Sequence, residues 1–198
     1  TFINDSTRLN LSAFRIITRN EIGIDQGGAY TTDANIPVDT IRNGIEASIA
    51  SQLPHNFNIF AAYTYLDAKY DGNFTSSSLG KVYSGNIIPG TFKNQFYSEL
   101  TWKYPDYGFT AGVEEVINSR IYANDTNTAY ANGYSLTNIK AGLQQNLGHW
   151  KLSEFARVEN IFDRNYIGAV RINDSNGQYY EAGAGRNYMV GASMSYAF

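Results

Sequence analysis

The 198-residue chain is long enough for one sizeable core, and 16 Tyr, 11 Phe and 18 Gly against only 4 Pro favour β-structure. The absence of Cys excludes a disulfide framework and thiolate metal sites, and a net charge of −3 without basic clusters gives no footprint for nucleic-acid binding. No apolar run approaches the roughly 20 residues that a membrane-spanning helix needs, which leaves a spanning β-barrel as the membrane option.

Alternation of apolar and polar residues with period two recurs along the chain, whereas helical periodicity is weak. The alternation predicts eight strands, over residues 8–21, 40–52, 56–70, 94–104, 109–122, 134–147, 150–163 and 187–198. These segments are long, because strands of soluble domains usually have about five or six residues.

The connections between the predicted strands alternate in length. Strands two and three are joined by "LPH", four and five by "PDYG", and six and seven by "GH", all of which are typical of tight turns. The long connections are residues 22–39, 71–93, 123–133 and 164–186. Short turns at one end and long loops at the other predict an all-β, antiparallel, up-and-down transmembrane barrel segment, with turns in the periplasm and loops outside.

Each predicted strand has an apolar and a polar side. Ile41, Ile45 and Ile49 alternate with Arg42 and Glu46 in the second strand. Such a face fits either lipid or a second protein layer. The transmembrane prediction therefore requires that no helix or opposing sheet covers the apolar side, for which the side chains to inspect are Ile41, Phe96 and Val190.

Aromatic residues stand at two levels about a strand length apart, as interfacial girdles do, although aromatics also favour strand ends and loops in general. The level near the short turns comprises Phe57, Trp102, Tyr104, Phe109, Trp150, Tyr196 and Phe198, and the level near the long loops comprises Tyr65, Tyr70, Tyr122, Tyr134 and Tyr188.

Two carboxylates fall in register with the apolar side. Glu154 lies close to a turn, where a charge costs little, whereas Glu115 lies deeper in its strand. For Glu115 we expect either a bulge that turns it to the other side or a polar spot that faces lipid.

Three segments resemble TonB-dependent outer-membrane receptors. "VENIFDRNY" (158–166) resembles the V-x-N-L-F-D-x-x-Y signature near their C-terminus, with Ile161 in place of Leu. "RNGIEASIASQL" resembles their strand with an R-x-G-x-E pattern, here Arg42, Gly44 and Glu46, and "GRNYMVGASMSYAF" resembles their closing strand. Independently of the family, Asn160 and Asp163 are predicted to close a turn where the strand ends, because both side chains bond nearby backbone.

The resemblance implies that residues 1–198 are the C-terminal portion, or last third, of a barrel of about 22 strands, without its plug domain and earlier strands. Lone sheet edges cannot be satisfied by lipid, so these strands are expected to pair with the missing ones. The other partners that it implies are outer-membrane lipid, TonB with ExbB and ExbD through the N-terminal part, the barrel-assembly machinery through the strand ending at Phe198, and a ferric siderophore or similar ligand.

Two groups of candidate site residues follow. The group expected to face the lumen or contact the plug comprises Arg42, Glu46, Lys140, Arg157 and Glu159. The group of loop residues that would contact a bulky anionic ligand by stacking and charge, or else pack loop against loop, comprises Tyr122, Tyr130, Arg171, Tyr179, Tyr180 and Arg186.

No catalytic or metal-binding pattern is found in the sequence. His55 and His149 stand in predicted turns without spaced partners, and the segments "NDSNG" and "NDTNT" lack the Glu that ends a calcium loop, which favours ordinary turn chemistry. The resemblance implies an outer-membrane receptor that imports a bulky scarce ligand, and the sequence gives no reason to expect an enzyme or a cofactor. The alternative is a complete eight-stranded barrel with a structural or adhesion role, which requires segment 8–21 to pair with segment 187–198.

Overall fold

The computed structural model describes residues 2–4, 6–28 and 31–197. In chain order its strands are β1 (Phe2–Asn4), β2 (Thr7–Thr18), β3 (Ile22–Gln26), β4 (Thr32–Asn35), β5 (Asp39–Leu53), β6 (Phe57–Asp71), β7 (Phe74–Ser76), β8 (Gly80–Val82), β9 (Asn94–Tyr104), β10 (Phe109–Asn118), β11 (Ile121–Tyr122), β12 (Tyr130–Ala131), β13 (Tyr134–Leu147), β14 (Trp150–Glu159), β15 (Ile167–Val170), β16 (Tyr180–Ala182) and β17 (Asn187–Tyr196). Single 3-10 turns at Pro54–Asn56 and Pro105–Tyr107 form two of the short connections. None of the helical segments in these ranges is long and apolar enough to cross a membrane.

Nine strands form one antiparallel sheet in the order β1-β2-β5-β6-β9-β10-β13-β14-β17. Neighbours in this sheet are also successive long strands in the chain, which confirms the up-and-down topology. The eight predicted strands are the eight long ones, and the short β1 was not predicted. Within the described ranges β2 pairs with β1 and β5 and β17 pairs with β14, so the pairing that an eight-stranded closed barrel requires is not found.

The strand ends differ from the prediction by three or more residues at three places, the first of which is the segment predicted over 8–21, which ends at Thr18. The segment predicted over 150–163 ends at Glu159, because Asn160 and Asp163 take positive φ angles of 50° and 51° and form a turn. The segment predicted over 109–122 breaks after Asn118. In addition, the four long loops each contain a two-stranded hairpin that the alternation did not indicate: β3–β4, β7–β8, β11–β12 and β15–β16.

Within the described ranges no second layer covers the apolar face of the sheet, because the main contacts of each long strand are with its sheet neighbours. Val190 is 80% exposed and Met194 is 65% exposed, while Ile41 and Phe96 are half-buried among their own neighbours. The buried apolar side chains instead lie at the loop end of the sheet, for example Val82 and Ile121. The condition set for a transmembrane face is therefore met.

Aromatic side chains form the expected level at the short-turn end of the apolar face. Opposed pairs there are Phe57 with Trp102, Tyr104 with Phe109, and Trp150 with Tyr196. Phe198 lies outside the described residues.

The prediction of an aromatic level at the loop end of the apolar face is mostly wrong. Tyr65 and Tyr188 lie on the apolar face, but Tyr70 and Tyr134 lie on the polar face and Tyr122 stands in a loop hairpin. The polar face takes these rings because they pack against the loops.

Glycines allow rings to lie flat on the polar face. A Cβ on Gly44 would stand 2.2 Å from the Phe14 ring, and a Cβ on Gly191 would stand 2.3 Å from the Phe155 ring. Each ring lies over the glycine directly opposite on the neighbouring strand. The glycine of the R-x-G-x-E pattern is thus required by close cross-strand packing.

Candidate functional site: a charged wall and a loop junction

Five ionic side chains form a cluster on the polar face, which we call the wall cluster: Glu99, Glu114, Lys140, Arg157 and Glu159. Lys140 Nζ lies 2.9 Å from Glu99 and 3.0 Å from Glu114. Arg157 binds Glu114 with two donors, at 2.7 and 2.6 Å, and Glu159 with its Nε at 2.9 Å. Glu114 is only 5% exposed, so its charge depends on these partners.

The strand register brings the wall cluster together. Glu99 stands directly opposite Glu114, and Lys140 stands directly opposite Arg157. Like charges in opposed positions repel each other. Lys140 contacts both Glu99 and Glu114, and Arg157 contacts Glu114, which offsets this repulsion.

The other two residues predicted for this face lie apart from the wall cluster. Arg42 binds Glu21, with one Nη1–Oε2 distance of 2.9 Å, and Thr40 donates to the same carboxylate. Burial raises the pKa of Glu21, but the bonds from Arg42 and Thr40 outweigh it and hold the pKa below its ordinary value of 4.5. Glu46 accepts a long 3.3 Å bond from Ser12. All five predicted residues share one face, but only Lys140, Arg157 and Glu159 meet.

A buried polar junction joins the four long loops, and we call it the loop junction: Asn173, Asp125 and Tyr70. The Asn173 amide donates to Asp125 at 2.9 Å and to the Ile24 carbonyl at 2.6 Å, and it accepts from the Asp125 backbone at 3.1 Å. The Tyr70 hydroxyl donates to Asp125 at 2.6 Å. The Asn86 amide donates to the Asp125 carbonyl at 2.8 Å. Residues from every long loop thus meet at one point.

The side chains of the loop junction are largely excluded from solvent. Asn173 is fully buried and Asp125 is 6% exposed. Burial raises the pKa of Asp125, and the hydrogen bonds from Tyr70 and Asn173 offset this only in part. Removal of a partner would therefore leave a buried polar group unsatisfied, which costs about 1–3 kcal/mol.

The six loop residues predicted to contact ligand fall into separate places. Tyr122 and Tyr130 pack edge to face across β11–β12 at 6.2 Å, and the Arg120 guanidinium lies 4.1 Å from the Tyr130 ring. Arg171 pairs with Glu181 at 2.8 Å. Tyr179 and Tyr180 are neighbours in the same loop, and Arg186 stands apart near Asp163, which accepts its backbone N–H at 2.8 Å. The structure does not gather these six residues into one site.

Three polar motifs close turns as expected. The Asn160 amide accepts from Arg164 N and donates to Arg164 O, both at 2.9 Å, while Asn160 N donates to Asn138. In "NDSNG" the Asp174 carboxylate accepts from two backbone N–H groups, and in "NDTNT" the Asn124 side chain does the same. Among the residues with described positions, no three His, Asp or Glu side chains are grouped as a metal site.

Glu115 forms a polar spot on the apolar face. The register of β10 is continuous through this residue, so the expectation of a bulge is wrong. Its carboxylate accepts from Ser135 and, at 2.5 Å, from Thr137 on the neighbouring strand. Two hydroxyls therefore satisfy a carboxylate on the apolar side.

Glu99 and Glu114 were not predicted as site residues. The alternation of apolar and polar residues places both on the polar side and could have indicated them. Asn173 and Asp125 belong to the segments "NDSNG" and "NDTNT", which were predicted only as turns. No local signal indicates that they meet, because their partners are far away in the chain.

A sequence profile described as TonB dependent receptor-like, beta-barrel matches residues 1–161. The chain is similar to the probable TonB-dependent siderophore receptor PiuA of Acinetobacter baumannii, with 26% identity over 172 residues, which is 84% of this chain and 22% of that protein. It therefore spans about a quarter of the relatives that it matches.

Solved structures share the fold. The crystal structure of the siderophore receptor PiuA from Acinetobacter baumannii matches 98% of this chain and 26% of that chain, with a TM-score of 0.74 and 22% identity. The crystal structure of the ferric citrate transporter FecA in the unliganded form matches 97% of this chain and 29% of that chain, with a TM-score of 0.76 and 20% identity. The open sheet with one bare apolar face has the architecture expected of a part of such a barrel. Because the family profile covers most of the chain, the chain belongs to the TonB-dependent receptor β-barrel family.

Proposed function

We propose that residues 1–198 form the C-terminal portion of the barrel of an outer-membrane TonB-dependent receptor that imports a bulky scarce ligand such as a ferric siderophore. The observation that carries this proposal is a long antiparallel sheet with a bare apolar face and a charged opposite face. A barrel wall between lipid and a polar lumen has this division of faces. The sequence similarity to a probable siderophore receptor supports the proposed ligand class.

The polar face is proposed to contact the plug domain. Arg42, Glu46, Lys140, Arg157 and Glu159 share this face, and polar groups there suit a folded domain inside the lumen. The remaining barrel strands would pair with the two open edges, and the C-terminal segment that contains β17 and Phe198 would be the one read by the barrel-assembly machinery.

This chain supplies wall and extracellular loops in the proposed transport. Ligand is captured at the loops, and energy reaches the plug through TonB with ExbB and ExbD. The loop residues predicted from the sequence are proposed to contact the ligand, because they lie at the loop end of the sheet. These residues are Tyr122, Tyr130, Arg171, Tyr179, Tyr180 and Arg186. Packing of Tyr122 on Tyr130 and pairing of Arg171 with Glu181 support the competing role in loop structure.

The experiment is uptake of iron-labelled siderophores by a strain that lacks the full-length gene, grown under iron limitation. The intact gene should restore uptake of at least one siderophore, and a version deleted for the TonB-contacting segment should not. Restoration of no siderophore, or restoration that does not require TonB, would contradict the proposal.

A further inference from the structure

A cavity of about 400 Å³ lies between the first two long loops, on the polar side of the sheet above Tyr70. One wall is the β3–β4 hairpin, with Ile24 and Ile36, and the other is β7, with Phe74. Asp125 of the loop junction closes the back of the cavity. The volume lies within the range of about 300–1,000 Å³ that small-molecule sites occupy.

The surface of the cavity is apolar and aromatic at its base. The Tyr70 and Phe74 rings meet edge to face, with their centroids 5.0 Å apart. Ile88, Pro89 and Ile172 complete the apolar lining. A ring or other flat apolar group would bury its surface here at little cost, because the lining needs no rearrangement.

The charged groups around the cavity have one sign. Glu21, Asp25 and Asp125 line it, and the described residues that line it include no Lys or Arg. These carboxylates already have internal partners: Glu21 has Arg42, Asp25 has the hydroxyl of Ser77, and Asp125 has Tyr70. A ligand therefore need not neutralise them, but a further negative charge would meet Asp25 and Asp125, whose partners carry no positive charge, in a confined space.

We propose that this cavity is a subsite for a ring-bearing part of the ligand that is neutral or positively charged, and that it rejects parts bearing a carboxylate or phosphate. The inference rests on the proposed function and specifies the chemistry of one contact in it. A positively charged group would be attracted by the carboxylates and by the Phe74 ring. None of the six loop residues predicted from the sequence lines this cavity.

The test uses three probes that share an indole ring and differ in charge: tryptamine, tryptophol and indole-3-acetate. Dissociation constants are measured by ligand-observed NMR with the full-length receptor in detergent micelles. Tryptamine and tryptophol should bind at least ~10-fold more tightly than indole-3-acetate, with constants in the millimolar range typical of fragments.

Two lysine variants test whether the preference against indole-3-acetate arises in this cavity. Asn35 lines the cavity, and Asn35→Lys should reduce or reverse the preference against indole-3-acetate. Thr32 belongs to the same hairpin strand without lining the cavity, and Thr32→Lys should leave the preference unchanged. The inference is overturned by equal binding of the three probes, by no saturable binding of any of them, or by equal effects of the two variants. Binding in micelles needs no TonB, so its outcome is separate from that of the uptake experiment.

Discussion

The side chain of Asn173 donates to the Asp125 carboxylate at 2.9 Å and accepts the Asp125 backbone N–H at 3.1 Å, which fixes the last long loop to the third. The same amide holds the first loop through the Ile24 carbonyl at 2.6 Å. The loops at this part of the rim are therefore tied together as one unit.

Replacement of Asn173 by Ala should loosen several loops at once. The loss of a buried amide with three hydrogen bonds should lower the free energy of local opening by about 1–3 kcal/mol. Hydrogen exchange measured by mass spectrometry on the full-length receptor should therefore rise by about ten- to a hundredfold in residues 22–27 and 121–131 as well as near residue 173.

The control for this prediction is Asn176→Ala, because Asn176 is exposed and in the same loop. It should change exchange only locally. An Asn173→Ala effect confined to residues 172–178 would show that the loops open independently.

Replacement of Glu114 by Gln should destabilise the barrel wall. Glu114 is the buried member of the wall cluster and binds both Lys140 and Arg157. The neutral amide weakens two charge-assisted contacts, at a cost of about 1–3 kcal/mol. The measurement is the thermal midpoint of the full-length receptor in micelles, followed by its β-sheet circular dichroism.

Glu46→Gln is the matched control, since Glu46 lies on the same face and makes one 3.3 Å hydrogen bond. Its midpoint should stay close to that of the wild type. Equal shifts for the two variants would mean that the wall cluster contributes no particular stability.

Loss of the hydroxyl of Thr137 should be costly only while Glu115 is present. Thr137→Val removes a donor from a carboxylate on the apolar face and should cost about 1 kcal/mol of folding free energy in lipid vesicles. In a Glu115→Leu background the same change should be nearly neutral, since no acceptor remains. Additive effects of the two substitutions would contradict the interaction.

Acid should release the first long loop from Arg42. The pKa of Glu21 is lowered in the folded protein, so its contribution is fully present above its ordinary value of 4.5 and is lost as the pH falls through the folded pKa. Hydrogen exchange in residues 19–24, corrected for the intrinsic effect of pH, should rise below pH 4.5. The Glu21→Gln variant should lack this transition, and a transition of the same size in that variant would assign it to another group.

Protonation of Asp125 should stabilise the loop junction, whereas protonation of Glu21 weakens the attachment of the first loop. Its pKa is raised by burial, so the stability of the loop junction increases as the pH falls through the folded pKa towards the ordinary value of 3.8. Exchange in residues 121–131 should therefore slow over this interval while exchange in residues 19–24 does not.

Much of the wall was predictable because the relevant signals are local. Alternation placed β9 and β13 over the residues that they occupy, and the Pro and Gly turns set the pairing of the strands that they join. Asn160 and Asp163 were predicted as turn residues, and the Asn160 side chain does reach backbone four positions away. The Asp163 carboxylate instead accepts from the backbone of Arg186, 23 positions away. The loop end was predicted poorly, and Tyr70 and Tyr134 were assigned to the wrong face, because their partners belong to other loops.

The sequence by itself determined the strand set, its up-and-down direction, and the division into an apolar and a polar face, since each follows from residue spacing within one segment. Only the tertiary structure decided that Glu114 lies between Lys140 and Arg157, that four loops meet at the loop junction, and that an acidic cavity opens above Tyr70. The reason is distance along the chain: the Asn173 amide and the Ile24 carbonyl are 149 positions apart, and no local pattern specifies such a contact.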